Sequence, residues 1–177
     1  MDKSFQIRPI NRRAVISLLL ITGSCLAFAA LMWSIRAIQP AAMIFACLTT
    51  LGLCLLFAWF GLAQSWSSVT VGSQKLVLRL PMYGRTISLE RIIPGSLARV
   101  NVADDQASQL AWRTNGLSVP GYNLGWFRTR GSEKALAAVT GNDAIRFRTK
   151  DDYTVLVSVA DSESFLDEIR AALGNRA

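Results

Sequence analysis

The sequence predicts a two-helix transmembrane hairpin followed by a mainly antiparallel β-barrel or sandwich capped by a C-terminal α-helix. Three observations carry that prediction. Residues 14–35 and 41–63 contain no charged side chain. From residue 66 onward the apolar pattern changes to period two, interrupted by regular turn signals. Last comes one apolar stripe at helical spacing, Phe165, Leu166, Ile169 and Leu173.

Residues 1–13 carry Lys3, Arg8, Arg12 and Arg13 against Asp2 and read as a basic cytoplasmic tail. Residues 14–64 read as the hairpin. About 20 apolar residues cover the hydrocarbon core, and a helix satisfies its own backbone hydrogen bonds there. Pro40 opens the second span, where its missing N–H costs nothing. The net charge of +7 is uneven. Residues 1–65 hold five Lys/Arg against one Asp, net +4, and residues 66–177 hold fourteen against eleven, net +3. Cations favour the cytoplasmic side, so both termini are expected inside and the turn bearing Arg36 outside. Trp33, Trp59 and Trp66 suit the two interfacial belts. Ala27-Phe28-Ala29 resembles a signal-peptidase site, but the run is too long and a second span follows at once, so an uncleaved anchor is expected. Neither span holds an ionisable carboxylate or cation, which argues against a transporter or channel built from this chain alone. Gly23 with Ala27 and Ala42 with Ala46 provide small-residue spacing that packs the spans together.

Residues 65–177 form the expected domain. Strand-like runs are 75–80, 86–89, 98–102, 110–113, 134–139, 144–149 and 153–159. Asn115-Gly116 reads as a turn pair between two of them. Asp161 suits an N-cap for the last helix, with Glu163 in its first turn and Gly174 as a stop.

Composition closes several function classes. Cys25, Cys47 and Cys54 all lie in the apolar spans, and there is no histidine. Disulfide frameworks in the domain, Cys- or His-ligated metals and His-based triads are thereby excluded. No metal, cofactor or catalytic residue is expected. No phosphate-cradling glycine motif opens a helix. Nucleic acid is not an expected partner, because the positive excess is juxtamembrane and the basic strands lack an RNA-binding aromatic signature.

Asn115-Gly116, Pro120-Gly121-Tyr122 with Gly125 and Phe127, and Val157-Ser158 leading to Asp161-x-x-x-Phe165-Leu166 resemble the bacterial pleckstrin-homology-like (PH-like) proteins. The resemblance covers roughly residues 69–173. It implies a bent antiparallel barrel capped by a terminal helix, in a bacterial inner (cytoplasmic) membrane context, and leaves activity undefined.

Two sets of site candidates follow. Arg128 and Arg130 share one strand face, and Arg146, Arg148 and Lys150 share another; if those strands are neighbours, five cations form one basic face for anionic lipid or a partner. The alternative is an ordinary solvated face balanced by Asp143, Asp151 and Asp152. Residues 116–131 form the second set, a candidate loop with Gly116, Pro120, Gly121, Tyr122, Gly125 and Trp126, against a plain structural hairpin. The functional expectation is a non-catalytic, membrane-anchored PH-like binding or scaffolding module. Its partner is a membrane protein, a further copy of the chain, or anionic lipid headgroups. The competing classes are an accessory subunit of an inner-membrane transport or envelope-assembly complex, and an enzyme of unrecognised type.

Overall fold

A computed structural model describes residues 2–34, 40–64 and 66–174. The expected turn with Arg36 and the side chain of Trp33 lie outside the described residues. The chain forms a sandwich of two β-sheets, a helical pair, and a C-terminal helix.

The first sheet has the order β1 (Lys3–Gln6), β2 (Ser68–Val71), β3 (Lys75–Arg79), β4 (Arg85–Ser88), antiparallel throughout. Its first strand corrects the reading of residues 1–13 as a tail. Lys3 to Gln6 pair with Val71 to Ser68, Ile7 bridges to Val159, and the Arg8 N–H donates to the Ser158 carbonyl at 2.8 Å. Phe5 and Ile7 alternate with Ser4 and Gln6, so period two turns both apolar side chains into the core. Phe5 meets Phe165 edge-on, ring centroids 5.2 Å apart.

The second sheet runs β5 (Ala98–Asn101), β9 (Asp143–Arg148), β10 (Tyr153–Val157), β8 (Lys134–Thr140), β7 (Tyr122–Thr129), β6 (Leu110–Val119). It is mainly antiparallel, except that β10 inserts between β8 and β9 and pairs with β8 in parallel. The Asn115-Gly116 turn is not formed. β6 continues through it, Gly116 lies opposite Gly125, and the hairpin turns at Pro120-Gly121. Both glycines have positive φ, +146° and +119°, and a Cβ on Gly116 would lie 2.2 Å from the Leu124 carbonyl oxygen. The backbones approach too closely there for any side chain.

The main core lies between the sheets, built from Val69, Leu76, Leu78, Leu124, Ile145, Phe147, Val155 and Val157 among others. α3 (Ser162–Gly174) closes one end of it with Phe165, Leu166 and Ile169, and the Asp161 carboxylate accepts from the Ser164 N–H at 3.1 Å as its cap. A second, smaller core lies on the far face of the six-stranded sheet: Phe127, Ala135, Ala137, Val139, Ala144 and Leu156 under Val102. Because β5 and β6 are opposite edges, the chain joining them crosses this face as a strap. The strap is tied at its start by Val102 N–H to the Asn142 carbonyl and at its end by Arg130 N–H to the Gln109 carbonyl.

α1 (Arg12–Ser34) and α2 (Pro40–Gln64) contact each other. Asn11 caps α1, its side-chain oxygen accepting from Ala14 N–H at 2.9 Å. Among the described residues, one helical stretch, Arg12–Leu31, is long and apolar enough by length and composition to cross a membrane; Ile44–Leu56 of α2 is a shorter apolar stretch.

If β1 is integral to the sandwich, Phe5→Ala opens a cavity beside Phe165 and destabilises the domain by about 3 kcal/mol. Phe28→Ala on exposed α1 leaves the domain unchanged. Thermal unfolding of the full-length chain followed by near-ultraviolet dichroism checks the pair.

Candidate binding site

β7 and β9 are not neighbours: β8 and β10 separate them, a lateral distance of about 14 Å. The five sequence-selected cations therefore do not form one face. Arg146 turns onto the outer face of the sheet, beneath the strap, where its guanidinium donates to the Asp105 carboxylate at 2.6 Å and to Ser108 Oγ at 3.1 Å. It holds the strap over the second core. Arg130 lies at the strap's far end, where its backbone N–H ties Gln109.

Arg128, Arg148 and Lys150 do converge, on a cleft of about 430 Å³ at the end of the six-stranded sheet. Lys134 joins them, a residue of β8 that sequence reading passed over because its strand is otherwise apolar. Within the cleft Arg148 pairs with Glu133 at 2.9 Å, Glu133 also accepts from Thr154 Oγ1 at 2.9 Å, and Arg128 donates to the Ser132 carbonyl at 3.1 Å. Glu133 and Asp152 are the acidic members against four cations. Arg128, Lys134 and Arg148 project from β7, β8 and β9, and Lys150 from the turn between β9 and β10.

The candidate loop residues divide by face. Gly116 and Gly125 are the close backbone pair, and Pro120-Gly121 is the turn, with Gly121 at φ +82° against the Asn11 side chain. Tyr122 is core, 1% exposed, and its hydroxyl finds no partner among the described residues. Burial pushes its pKa up. Trp126 is half-buried beside the cleft, edge-on to Tyr153 at 5.4 Å, with Lys134 Nζ 4.5 Å and the Arg85 guanidinium 5.5 Å from its ring. Arg8 of the amino-terminal segment pairs with Asp143 at 3.2 Å, and Arg99 pairs with the same carboxylate at 2.9 Å. The Arg99 hydrogen bond, with Arg8 in support, holds Asp143 below the usual carboxylate range.

The placement of these groups along β7 is informative. Its start, Tyr122, follows the turn against Asn11 and α1, whereas Arg128 lies six residues further on, about 20 Å along the strand. The basic cleft therefore opens at the end of the sheet remote from the start of α1.

Two packed sheets with one helix across an open end define a β-sandwich capped by a terminal helix. The family model for the bacterial PH domain matches residues 67–173, and the chain belongs to that family. Such domains are generally non-catalytic binding modules. No curated protein and no solved structure matches the chain.

Arg146 and Asp105 should behave as one unit. Arg146→Ala and Asp105→Ala each loosen the strap, and the double variant costs less than their sum, with a coupling of about 0.5–3 kcal/mol in a chemical-denaturation cycle. Tyr122→Phe removes an unpartnered buried hydroxyl and is neutral or stabilising. Because the folded-state pKa of Tyr122 is raised, the unfolded chain loses that proton first, so wild-type stability falls as pH rises through the ordinary tyrosine range. Tyr122→Phe unfolds less readily than wild type above about pH 10, and denaturation at stepped pH measures the difference.

Proposed function

We propose that this chain is a membrane-tethered, non-catalytic PH-like binding module, held by the α1–α2 hairpin (residues 14–64) at the cytoplasmic face of a bacterial inner membrane. The observation that carries the reading is the pairing of β1 with β2. The two strands flank the helical pair in sequence and are hydrogen-bonded neighbours in one sheet. A chain that leaves the domain through α1 must therefore return to the same side through α2, which is the topology that the positive charge near residues 3–13 also favours.

Exposure supports the tether. Only 6% of the most apolar window of Arg12–Leu31 is buried, which supports a tether over a core helix. Leu19, Leu20, Phe28 and Leu31 of α1 and Ile44, Phe45 and Leu48 of α2 are all exposed. At roughly 1.5–3 kcal/mol for each such side chain removed from water, the pair demands an apolar surrounding. A cleaved signal sequence fits poorly, because cleavage after α1 would carry away β1 and leave Val69 and Phe165 uncovered.

The function is then recognition near the membrane. Arg128 of the basic cleft lies about 20 Å along β7 from the turn beside the start of α1, further than the screening length of about 8 Å at physiological salt. That favours an acidic segment of a membrane-protein partner over the bilayer for this cleft. The hairpin can also pack against a partner's spans, as an accessory subunit would.

The topology is tested by cysteine labelling in intact cells, with Cys25, Cys47 and Cys54 replaced by Ala. A membrane-impermeant maleimide should modify Ala37→Cys and leave Ser132→Cys unmodified until the membrane is permeabilised. Modification of Ser132→Cys in intact cells would overturn the orientation.

A further inference from the structure

We propose that the cleft between the end of α2 and the β3–β4 hairpin seats an anionic phospholipid, its phosphate on Arg79 and Arg85 and its glycerol and upper acyl region against Trp59, Trp66, Leu80 and Pro81. The proposal rests on the membrane-tethered reading and names a ligand for it. The cleft holds about 540 Å³ and lies where α2 hands over to β2. Arg79 is in register with Ser68, the first residue of β2, so it stands at the end of the sheet nearest the helical pair.

The surface there is amphipathic in a particular way. Trp66 is 75% exposed, and Met82 at the tip of the β3–β4 hairpin is 71% exposed beside Pro81. Large apolar side chains clustered on one exposed patch mark a contact surface. None of the described lining residues is acidic. Neither Arg79 nor Arg85 joins an ion pair among the described residues, whereas Arg8, Arg91, Arg99, Arg146 and Arg148 are all committed to carboxylates. The Arg79 guanidinium and that of Arg85, which also stands 5.5 Å over the Trp126 ring, line a compartment whose other walls are mainly indole, proline and aliphatic side chains, with the hydroxyls of Ser67 and Thr86. Guanidinium binds phosphate oxygens in a bidentate fork, and indole sits at the boundary between headgroup and hydrocarbon.

Charge and polarity choose the occupant. A free inorganic anion would use the arginines and leave both indoles in water. A neutral phospholipid would use the indoles and leave a choline group beside two cations. An anionic diacyl lipid satisfies both walls, and the tether holds the cleft at the depth where such a lipid presents its phosphate.

The test uses the full-length chain in detergent micelles, titrated with phosphatidylglycerol or phosphatidylcholine of equal chain length and read by native mass spectrometry. Wild type should bind the first phosphatidylglycerol about tenfold more tightly than phosphatidylcholine. Arg79→Gln with Arg85→Gln should abolish the preference, Arg79→Lys with Arg85→Lys should keep most of it, and Arg128→Gln with Arg148→Gln should leave it intact. Equal binding of the two lipids by wild type, or a preference that survives the Arg79→Gln/Arg85→Gln exchange, would overturn the seat. A membrane-protein neighbour cross-linked through Trp66→Cys in place of lipid would overturn it as well. Carbonate extraction of the source membranes separates two failures. A chain retained in the pellet without lipid preference rejects the seat alone, and a chain released to the supernatant rejects the tether and the seat together.

Discussion

The structure depends on one backbone ladder. β1 and β2 exchange hydrogen bonds across four paired residues, and the whole helical pair is an excursion between Gln6 and Ser68. A long excursion is thermodynamically tolerable, because closure entropy grows only with the logarithm of loop length, about 0.6 kcal/mol for each doubling. The ladder is reinforced from several directions. Phe5 packs on Phe165, Lys3 pairs with Glu168 of α3 at 3.2 Å, and Arg8 pairs with Asp143 while its carbonyl accepts from Thr140 Oγ1 at 3.0 Å. The amino-terminal residues thus bridge the two sheets and the capping helix. Both ends of the helical pair lead into one sheet.

The cations of this basic chain sort by partner rather than by position in sequence. Arg146 is consumed by the strap and Arg148 by Glu133, while Arg99 and Arg8 share Asp143. These pairs organise the six-stranded sheet, whose outer face would otherwise expose Phe127, Val139 and Leu156. Among the other cations, two groups line clefts that meet at Trp126, whose ring is flanked by Arg85 of one and Lys134 of the other. One set, near Trp66, carries apolar neighbours; the other, around Lys134 and Lys150, is polar and remote from α1.

Much of this was legible in the sequence, and the gaps have physical causes. Period two located β3, β4 and β5, and the stripe from Phe165 to Leu173 located α3, because each buries one face; β8, β9 and β10 are buried on both faces and stood out as apolar runs between turn signals. β1 escaped because its one large apolar residue, Phe5, and Ile7 just beyond it stand among charges that read as a topology signal. Asn115-Gly116 misled because the same pair that makes a tight turn also permits the close backbone crossing with Gly125. The insertion of β10 between β8 and β9 is a choice of partner that alternation cannot express. The basic face failed for a related reason. Strand parity put Arg146 and Arg148 on one side correctly, but Asp105, the partner of Arg146, lies 41 residues away, and only the tertiary path of the strap brings it there.

The ladder between β1 and β2 is open to direct measurement in cells. Ser4 and Thr70 are paired across it with their hydroxyl oxygens 3.4 Å apart, and directly opposed strand residues lie within the Cα separation that a disulfide accepts. In a chain whose native cysteines are replaced by Ala, Ser4→Cys with Thr70→Cys should oxidise to an intramolecular disulfide, seen as a mobility shift reversed by reductant. Two cysteines that stay reduced and separately reactive, or that link only between different chains, would contradict a sandwich closed by its own amino-terminal strand.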